Sequence, residues 1–171
     1  EYGELACGYR GVGRLANLNK ITERIGLLLK QRNDLKGKKV LVTAGATIEE
    51  IDPVRVITNK SSGKMGTSIA EQAFLRGADV VLLRGHNSVE PSYSIKGEKF
   101  TTVNDLFIKI KKNIKNADII IHAAAVSDFT INNRHSTKIK SNKELQLELA
   151  PAAKIFEKLK KMNEKIFLVG F

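Results

Sequence analysis

Short, mostly apolar runs alternate with helical spacings from Lys38 to the end of the chain. The runs at residues 40–43, 80–83, 119–121 and 166–169 have the composition of strands buried on both faces of a parallel sheet. Between them, apolar residues recur three and four positions apart, which predicts helices. The alternation predicts an α/β fold, a three-layer Rossmann-like domain with a mostly parallel sheet.

Three helices are predicted in this domain. The first covers residues 62–76 and ends at Gly77, a residue that often follows the last helical turn. The third is expected to open at Pro151, because proline suits the first turn of a helix. The apolar positions of the second and third helices are Leu106, Ile110 and Ile114, and Ile155, Phe156 and Leu159.

Two segments are less regular. Residues 84–101 are rich in glycine and proline, so they are expected to form a loop or a ragged edge strand. Leu145, Leu147 and Leu149 alternate with polar residues, which predicts a half-exposed strand paired with residues 138–140.

The N-terminal part follows a different pattern. Residues 1–19 are too rich in glycine for a helix or a central strand and predict a mobile flap or loop. Apolar spacing then predicts one amphipathic helix that ends near Gln31. Because residues 32–37 are polar, we expect a boundary there, between a segment 1–35 and a domain 36–171. The helix positions are Ile21, Ile25, Leu28 and Leu29.

Composition narrows the functional classes. With 42% hydrophobic residues in 171, the chain can bury a core, and it has no apolar run of membrane-spanning length. Its first residues lack the apolar centre of a signal peptide, so a cytoplasmic location without membrane attachment is the expectation. The single cysteine, Cys7, excludes an internal disulfide.

The net charge of +11 suggests an anionic partner. Nucleic acid is disfavoured, because the basic residues are scattered, aromatic residues are 6% of the chain, and no nucleic-acid-binding motif occurs. A phosphorylated small molecule would benefit from the same field, and part of the surplus is ordinary lysine-rich surface.

Residues 52–66 join the first strand to the first helix and form a candidate anion site. Ser61 or Ser62 can cap the helix, Gly63 and Gly66 allow close approach to the backbone, and the helix start offers free N–H groups. The alternative is a well-capped helix after a long loop. Since residues 44–60 are long for such a loop, we expect them to fold over a ligand. Positive charge is added by Arg55, Lys60 and Lys64.

Residues 122–129 follow the third strand, at the carboxyl edge where parallel sheets bind ligands. Asp128 can hold a ribose hydroxyl or cap a turn, and His122 suits a packed, hydrogen-bonded role better than that of a base. Lys138 and Lys140 fit either an edge strand or a triphosphate clamp. The dinucleotide glycine fingerprint and the Walker motif are absent, which disfavours NAD, and the histidines lack metal-ligand spacing.

Taken together, these motifs resemble phosphopantothenoylcysteine synthetase, the ligase half of the bifunctional coenzyme A biosynthesis protein. The resemblance covers residues 36–171 and rests on Thr43–Thr47, on residues 51–66, on Ala123–Asp128 and on Lys138–Lys140. The opening residues 3–14 resemble the end of the FMN-dependent decarboxylase half, in which Cys7 matches a catalytic cysteine. FMN would belong to that half alone and would not be bound by this chain.

The resemblance implies that 4′-phosphopantothenate attacks CTP to give an acyl-cytidylate, which cysteine converts to the amide. It also implies Mg²⁺, a homodimer and attachment to the decarboxylase domain. An ATP-dependent version of the reaction and a Rossmann-type oxidoreductase are the alternatives.

The family's functional residues map onto this chain as follows. Asn59 and Lys138 match its catalytic pair, and Lys138 also matches a nucleotide contact. This chain departs from the family in two places. Where the family usually has Pro-Asp-Ile and an aliphatic residue, the sequence is Ala153, Lys154, Ile155 and Phe156. The later lysines of the family would lie beyond Phe171. The sheet is expected to continue in a further part of the protein. The matching nucleotide positions are His122, Ala123, Ala124, Asp128, Ala153, Lys154, Ile155, Phe156 and Phe171; the phosphate candidates are Arg55, Ser61, Ser62, Gly63, Lys64 and Gly66.

Overall fold

The computed structural model describes residues 2–5, 7–13, 15–30, 32–142 and 144–171, without the side chains of Glu23, Leu27 and Lys30. Gln31, the expected helix end, lies outside these residues, as do Ala6 and Arg14 of the predicted flap. Contacts divide the chain into two compact units, Glu1–Arg32 and Asn33–Phe171.

The first unit contains a hairpin and a helix. Strand β1 (Tyr2–Glu4) pairs antiparallel with β2 (Arg10–Val12), and helix α1 (Leu18–Lys30) follows. The helix was predicted, whereas the two paired strands within the predicted flap or loop of residues 1–19 were not. Glycine-rich backbone still supplies the N–H and C=O groups of a short ladder, and Gly8 takes the turn at φ 80°.

The second unit is built around one five-stranded parallel sheet in the order β11-β8-β3-β6-β7. The order places the first strand of the sheet, β3, at its centre. Its elements are β3 (Lys39–Ala46), β4 (Ile48–Glu50), β5 (Val56–Thr58), α2 (Lys64–Leu75), β6 (Asp79–Gly85), β7 (Lys96–Phe100), α3 (Val103–Ile114), β8 (Ile119–Ala125), β9 (Phe129–Ile131), β10 (Leu149–Pro151), α4 (Ile155–Met162) and β11 (Phe167–Gly170).

Alternate residues of the central strand feed two separate cores. Val40 and Val42 pack with α2 on one face of the sheet, whereas Leu41 packs with α3 and α4 on the other. The three-layer α/β prediction is therefore confirmed. No helix within the described ranges is both long and apolar enough to cross a bilayer.

The segment between β3 and α2 is more ordered than the sequence indicates. A long loop was expected over residues 44–60, but β3 extends to Ala46 and β4 pairs antiparallel with β5. The hairpin was missed because each strand has only three residues and β4 carries two glutamates.

Two further predictions near the C-terminal half are wrong. Residues 138–140 form no strand, and of the leucine run only Leu149 enters one, in β10, which pairs with β9. Pro151 ends β10 instead of opening a helix, and α4 begins at Ile155. Proline has no N–H to donate, but it fits an end position of a short edge strand as well as it fits a first helical turn.

Candidate functional site

The carboxyl ends of β3 and β8 lie side by side at the centre of the sheet. Thr43 is opposite His122, and Gly45 is opposite Ala124. From β3 the chain passes to β6 on one side, and β8 occupies the other side. Such a reversal of strand order opens a crevice where ligands bind in parallel α/β folds.

Thr43 and His122 form a buried hydrogen-bonded pair at this crevice. The Thr43 hydroxyl lies 2.9 Å from His122 Nδ1 and accepts the N–H of Ala124 at 3.1 Å. The hydroxyl accepts the Ala124 N–H and still has a hydrogen that it can donate to Nδ1 of a neutral ring. Burial lowers the pKa of His122 to about 4, so the ring is neutral at pH 7. The predicted packed role of His122 is confirmed, and Thr43 is a partner that the sequence did not indicate.

A cavity of about 210 Å³, here called the β8 cavity, opens beside this pair. The Phe156 ring lies 6.5 Å from the His122 ring, and the Phe171 N–H donates to the His122 carbonyl at 3.3 Å. Most of the predicted nucleotide residues therefore come together here. The lining consists of His122, Val126, Ser127, Asp128, Ala152, Ala153, Lys154, Ile155, Phe156 and Glu157.

The predicted nucleotide residues differ in what they can offer. Ile155 is 3% exposed and belongs to the core, whereas Phe156 is exposed at the cavity. Asp128 accepts a hydrogen bond from Lys154 Nζ at 2.6 Å. This hydrogen bond, and then the Asp128 charge, raises the pKa of Lys154. A ligand hydroxyl at Asp128 would share the carboxylate with Lys154.

A larger opening of about 770 Å³ lies at the opposite edge, near the amino ends of β3, β8 and β11. It is lined by backbone and by lysines such as Lys38 and Lys115. We favour the β8 cavity as the ligand site because it lies at the carboxyl edge and holds the polar side chains that the motifs indicate.

Asn59 reaches the end of β8 from the loop before α2. Its Nδ2 donates to the carbonyls of Ala125 and Val126 at 3.4 and 3.3 Å. These two contacts orient the amide beside the cavity. The structure therefore brings the two motifs, around residue 59 and around residue 125, to the same edge of the sheet.

Glycines at the start of α2 serve packing. Gly63 is the N-cap, at φ 70°, and a Cβ there would lie 2.8 Å from Ser88 Oγ. A Cβ on Gly66 would lie 2.7 Å from both Ala44 Cβ and the Thr43 carbonyl oxygen. The prediction that Ser61 or Ser62 caps the helix is wrong, since the cap is Gly63 without a side-chain bond; the serines accept backbone N–H groups at 3.4 and 3.5 Å.

Arg55 lies in the turn that joins β4 to β5, and it contacts the segment that carries Lys138. One of its guanidinium nitrogens donates to the Ile139 carbonyl at 2.8 Å, and another lies 3.5 Å from Asp52. Asp52 is 1% exposed and accepts N–H groups from Val54, Arg55 and Ile139. Burial raises the pKa of Asp52, but these hydrogen bonds and the Arg55 charge outweigh it and hold the pKa below its usual range.

Two buried polar residues of the site region, Thr47 and Glu49, were not predicted as site residues. Thr47, fully buried, donates its N–H to Ala125 and accepts the N–H of Ser127 at 2.9 Å. Glu49 accepts the Val103 N–H and the Thr130 hydroxyl, both at 3.0 Å. The sequence gives little indication of their burial, because a threonine and a glutamate in a segment predicted to be a loop are expected to be exposed to solvent.

Two remaining site predictions lie outside the β8 cavity. Lys138 is exposed and is not part of its lining, and Cys7, exposed with a free thiol, belongs to the first unit. Among the residues that the structure describes, no three His, Cys, Asp or Glu side chains converge as a metal site would need.

The comparisons with known proteins agree with one another. The coenzyme A biosynthesis bifunctional protein CoaBC of Thermococcus kodakarensis is 45% identical over 163 residues, covering 94% of this chain and 40% of that protein. The crystal structure of the C-terminal domain of CoaBC superposes with a TM-score of 0.70 at 36% identity, over 80% of this chain and 64% of the other. A DNA/pantothenate metabolism flavoprotein from Streptococcus pneumoniae gives a TM-score of 0.70 at 30% identity, over 77% and 68%.

The chain thus spans about two fifths of the length of the curated relative, 40%. A family model, that of the DNA/pantothenate metabolism flavoprotein C-terminal domain, matches residues 35–171, which is nearly all of the second unit. The parallel sheet, the cavity at its carboxyl edge and these similarities lead to one conclusion: the chain belongs to the DNA/pantothenate metabolism flavoprotein C-terminal domain family.

Proposed function

We propose that the second unit is a phosphopantothenate–cysteine ligase that uses CTP. The carboxylate of 4′-phosphopantothenate attacks the α-phosphate of CTP, pyrophosphate leaves, and the amine of cysteine then displaces CMP from the acyl-cytidylate. The observation that carries the proposal is the meeting of Asn59 with the end of β8, next to a cavity lined by His122 and Asp128. The names of the relatives, which place them in coenzyme A biosynthesis, support the same reaction.

The β8 cavity suits the nucleoside part of the ligand. Its volume of about 210 Å³ is below the roughly 300–1,000 Å³ that encloses a drug-sized molecule, so it takes one part of a nucleotide. Asp128 can accept from a ribose hydroxyl, and Phe156 offers an exposed ring against which a base can stack. The triphosphate would then extend along the sheet edge toward Asn59.

Phosphoryl transfer depends mainly on positive charge and fixed donors, and the second unit supplies these. Lys64, at the start of α2, and Lys138 are exposed cations of this unit. Mg²⁺ would accompany the triphosphate, whose oxygens it prefers as ligands, and would spread the developing charge.

Asn59 suits the second half of the reaction. With its Nδ2 directed at two carbonyls, the amide oxygen is the atom that can accept a hydrogen bond from the amine of cysteine. The ligase is proposed to act as a homodimer attached to the decarboxylase domain, in which Cys7 would serve the FMN reaction only.

Thermal unfolding with added ligands tests the nucleotide. CTP with Mg²⁺ should stabilise the chain by about 2.7 kcal/mol at a concentration 100 times its Kd. Asp128→Ala should weaken CTP binding roughly tenfold to a hundredfold, since a hydrogen bond to a charged group is lost. The exposed residue Asp118, at the amino end of β8, gives the control Asp118→Ala, which should keep its affinity.

The other ligands separate the alternatives. Stronger stabilisation by ATP would assign the ATP-dependent version of the reaction, and stabilisation by NAD would favour an oxidoreductase. Stabilisation by DNA alone, with a steep dependence on salt, would overturn the ligase proposal.

A further inference from the structure

The segment that carries Lys138 and Lys140 is held by a clamp that the sequence motifs do not reveal. We call residues 132–142, between β9 and the undescribed position 143, the lysine strap. It contains no helix or strand, and both lysines are exposed. Long lysine side chains on an irregular segment lose much conformational entropy when they are fixed. The position of the backbone beneath them therefore matters.

The clamp consists of hydrogen bonds to both backbone polar groups of Ile139, its N–H and its C=O. The Ile139 N–H donates to Asp52 Oδ2 at 3.1 Å, and the Ile139 carbonyl accepts from Arg55 at 2.8 Å. Asp52 and Arg55 are themselves joined, since Asp52 Oδ1 accepts the Arg55 N–H at 2.8 Å and the guanidinium lies 3.5 Å from Oδ2. Ile139 is thus tied to a closed unit within the β4–β5 turn.

Peptide planarity carries the restraint to the lysines. The N–H of Ile139 shares a plane with the α-carbon of Lys138, and its C=O shares a plane with the α-carbon of Lys140. The two hydrogen bonds at Ile139 therefore restrain the two peptide planes that contain the α-carbons of Lys138 and Lys140, and so the points from which both side chains extend.

The strap is attached at two more points along the same segment. Arg134 pairs with Glu50 at 2.5 Å, and the His135 N–H donates to the Ile51 carbonyl at 3.0 Å. The attachments run in order from Glu50 to Arg55, so the β4–β5 turn acts as a template for the strap. The buried Asp52 is the centre of this template, with N–H groups from both segments on one carboxylate.

We propose that Asp52 and Arg55 are positioning residues, which hold Ile139 so that Lys138 and Lys140 stand ready at the triphosphate. The proposal rests on the ligase function and assigns Arg55 a different role from a phosphate contact. Asp52 and Arg55 act through the strap backbone, and the lysines contact the ligand.

The first test needs no nucleotide. In Asp52→Asn an N–H₂ group replaces the acceptor that faces the Ile139 N–H, while the size of the side chain stays the same. Deuterium uptake at Ile139 and trypsin cleavage after Lys138 and Lys140 should both accelerate at least about tenfold. The control Asp118→Asn also alters a carboxylate that accepts a backbone N–H, that of Lys39 at 2.8 Å, and should leave the strap unchanged. If Ile139 exchanges as fast in the parent chain as in Asp52→Asn, the clamp does not exist.

The second test uses a double-mutant cycle in the full-length natural protein. Asp52→Asn and Lys138→Ala should each slow pyrophosphate release about 10²-fold, as a misplaced group does. Together they should cost clearly less than the product of the two single losses, because both variants remove the Lys138 contact. Additive losses would show that Asp52 only supports the fold, and would overturn the positioning role.

Arg55→Lys keeps the charge but loses the planar fork, and it covers the case in which Asp52→Asn does not fold. Positioning predicts that this variant loses both strap protection and pyrophosphate release. Loss of pyrophosphate release with Ile139 still protected would overturn the proposal and return Arg55 to a phosphate contact. A parent protein with a protected Ile139 but no nucleotide-dependent pyrophosphate release would refute the ligase function instead, and with it the purpose proposed for the clamp.

Discussion

His122 shows how one hydrogen bond and one environment decide the chemistry of a side chain. Thr43 binds its Nδ1, and burial lowers its pKa to about 4 from 6.5. The folded protein therefore binds fewer protons at His122 than the unfolded chain between these two pH values. Stability from this group is complete above about pH 6.5 and is lost as the pH falls toward 4.

We expect this loss to reach about 3 kcal/mol, at 1.36 kcal/mol for each pKa unit. His122→Gln cannot take up the proton, so its urea unfolding midpoint should vary less with pH over that range. His135→Gln is the control, because His135 is exposed. Equal pH dependence in the parent chain and in His122→Gln would contradict the buried neutral ring.

Asn59 and Lys138 should fail at different half-reactions in the full-length protein. Without the charge of Lys138, Lys138→Ala should slow pyrophosphate release about 10²-fold, so that acyl-cytidylate does not accumulate. Asn59→Asp keeps the shape but loses the donors that reach Ala125 and Val126. A carboxylate that faces these two carbonyls is no longer held in place beside the incoming amine. The variant should therefore still release pyrophosphate and accumulate the intermediate, with the cysteine step slowed by roughly 10²-fold. Mass spectrometry of quenched reactions measures both, and a block before the intermediate in both variants would contradict the division.

Residue identity predicted the site better than it predicted the contacts inside the site. Asp128 could be found because it follows a predicted strand at the carboxyl edge of a parallel sheet, and Asn59 because it stands in a motif that resembles the synthetase family. The Thr43–His122 bond could not be found, since it joins residues 79 positions apart and depends on the register of two strands. The hydrogen bonds of Ile139 to Asp52 and Arg55 were hidden for the same reason, since they join residues more than 80 positions apart; the phosphate contact of Arg55 stays a prediction.

At the scale of elements, two glycines in helices show opposite requirements. Gly66 in α2 faces the central strand, where a Cβ would lie 2.7 Å from the Thr43 carbonyl oxygen. Gly26 in α1 has no atom within 4 Å of such a Cβ. The helix spacing predicted both elements, but it did not distinguish a packing glycine from a dispensable one.

The substitution of alanine should therefore change stability in opposite directions. Gly66→Ala should destabilise the second unit by about 1–3 kcal/mol through overpacking. Gly26→Ala should raise the stability of α1 by roughly 0.5–1 kcal/mol, since alanine favours the helix. Urea titrations followed by circular dichroism measure each effect. A stabilising Gly66→Ala would show that α2 does not approach β3 as closely as described.

Regular elements were predictable because their signal is local. Four strands and four helices appear directly in the apolar spacing. The last strand, β11, was predicted to be buried on both faces, but it lies at the edge of the sheet and Phe167 is exposed. The hairpin β4–β5 and the pair β9–β10 were not predictable, because three-residue strands carry too few positions for a period and owe their order to neighbours distant in sequence.

For the whole molecule, the net charge of +11, from 29 basic and 18 acidic residues, should make the free energy of unfolding depend on salt concentration. Self-repulsion opposes the compact state, and at 0.1 M salt it is screened beyond about 10 Å. The urea midpoint should therefore rise between about 10 and about 300 mM NaCl, whereas the CTP affinity should fall over the same range. A midpoint that decreases with NaCl would indicate that the exposed ion pairs, such as Arg76 with Asp34, outweigh the repulsion.

The central place of β3 also affects how the chain is made. At roughly 5–20 residues per second, about 4–16 s separate the synthesis of Thr43 from that of His122, 79 residues later. Strand β6 can cover one edge of β3 about halfway through this interval, but the other edge waits for β8. During that time one edge of the apolar strand β3 stays unpaired and can pair with other nascent chains. Slow translation of residues 86–118, which lie between β6 and β8, should therefore lengthen this exposure.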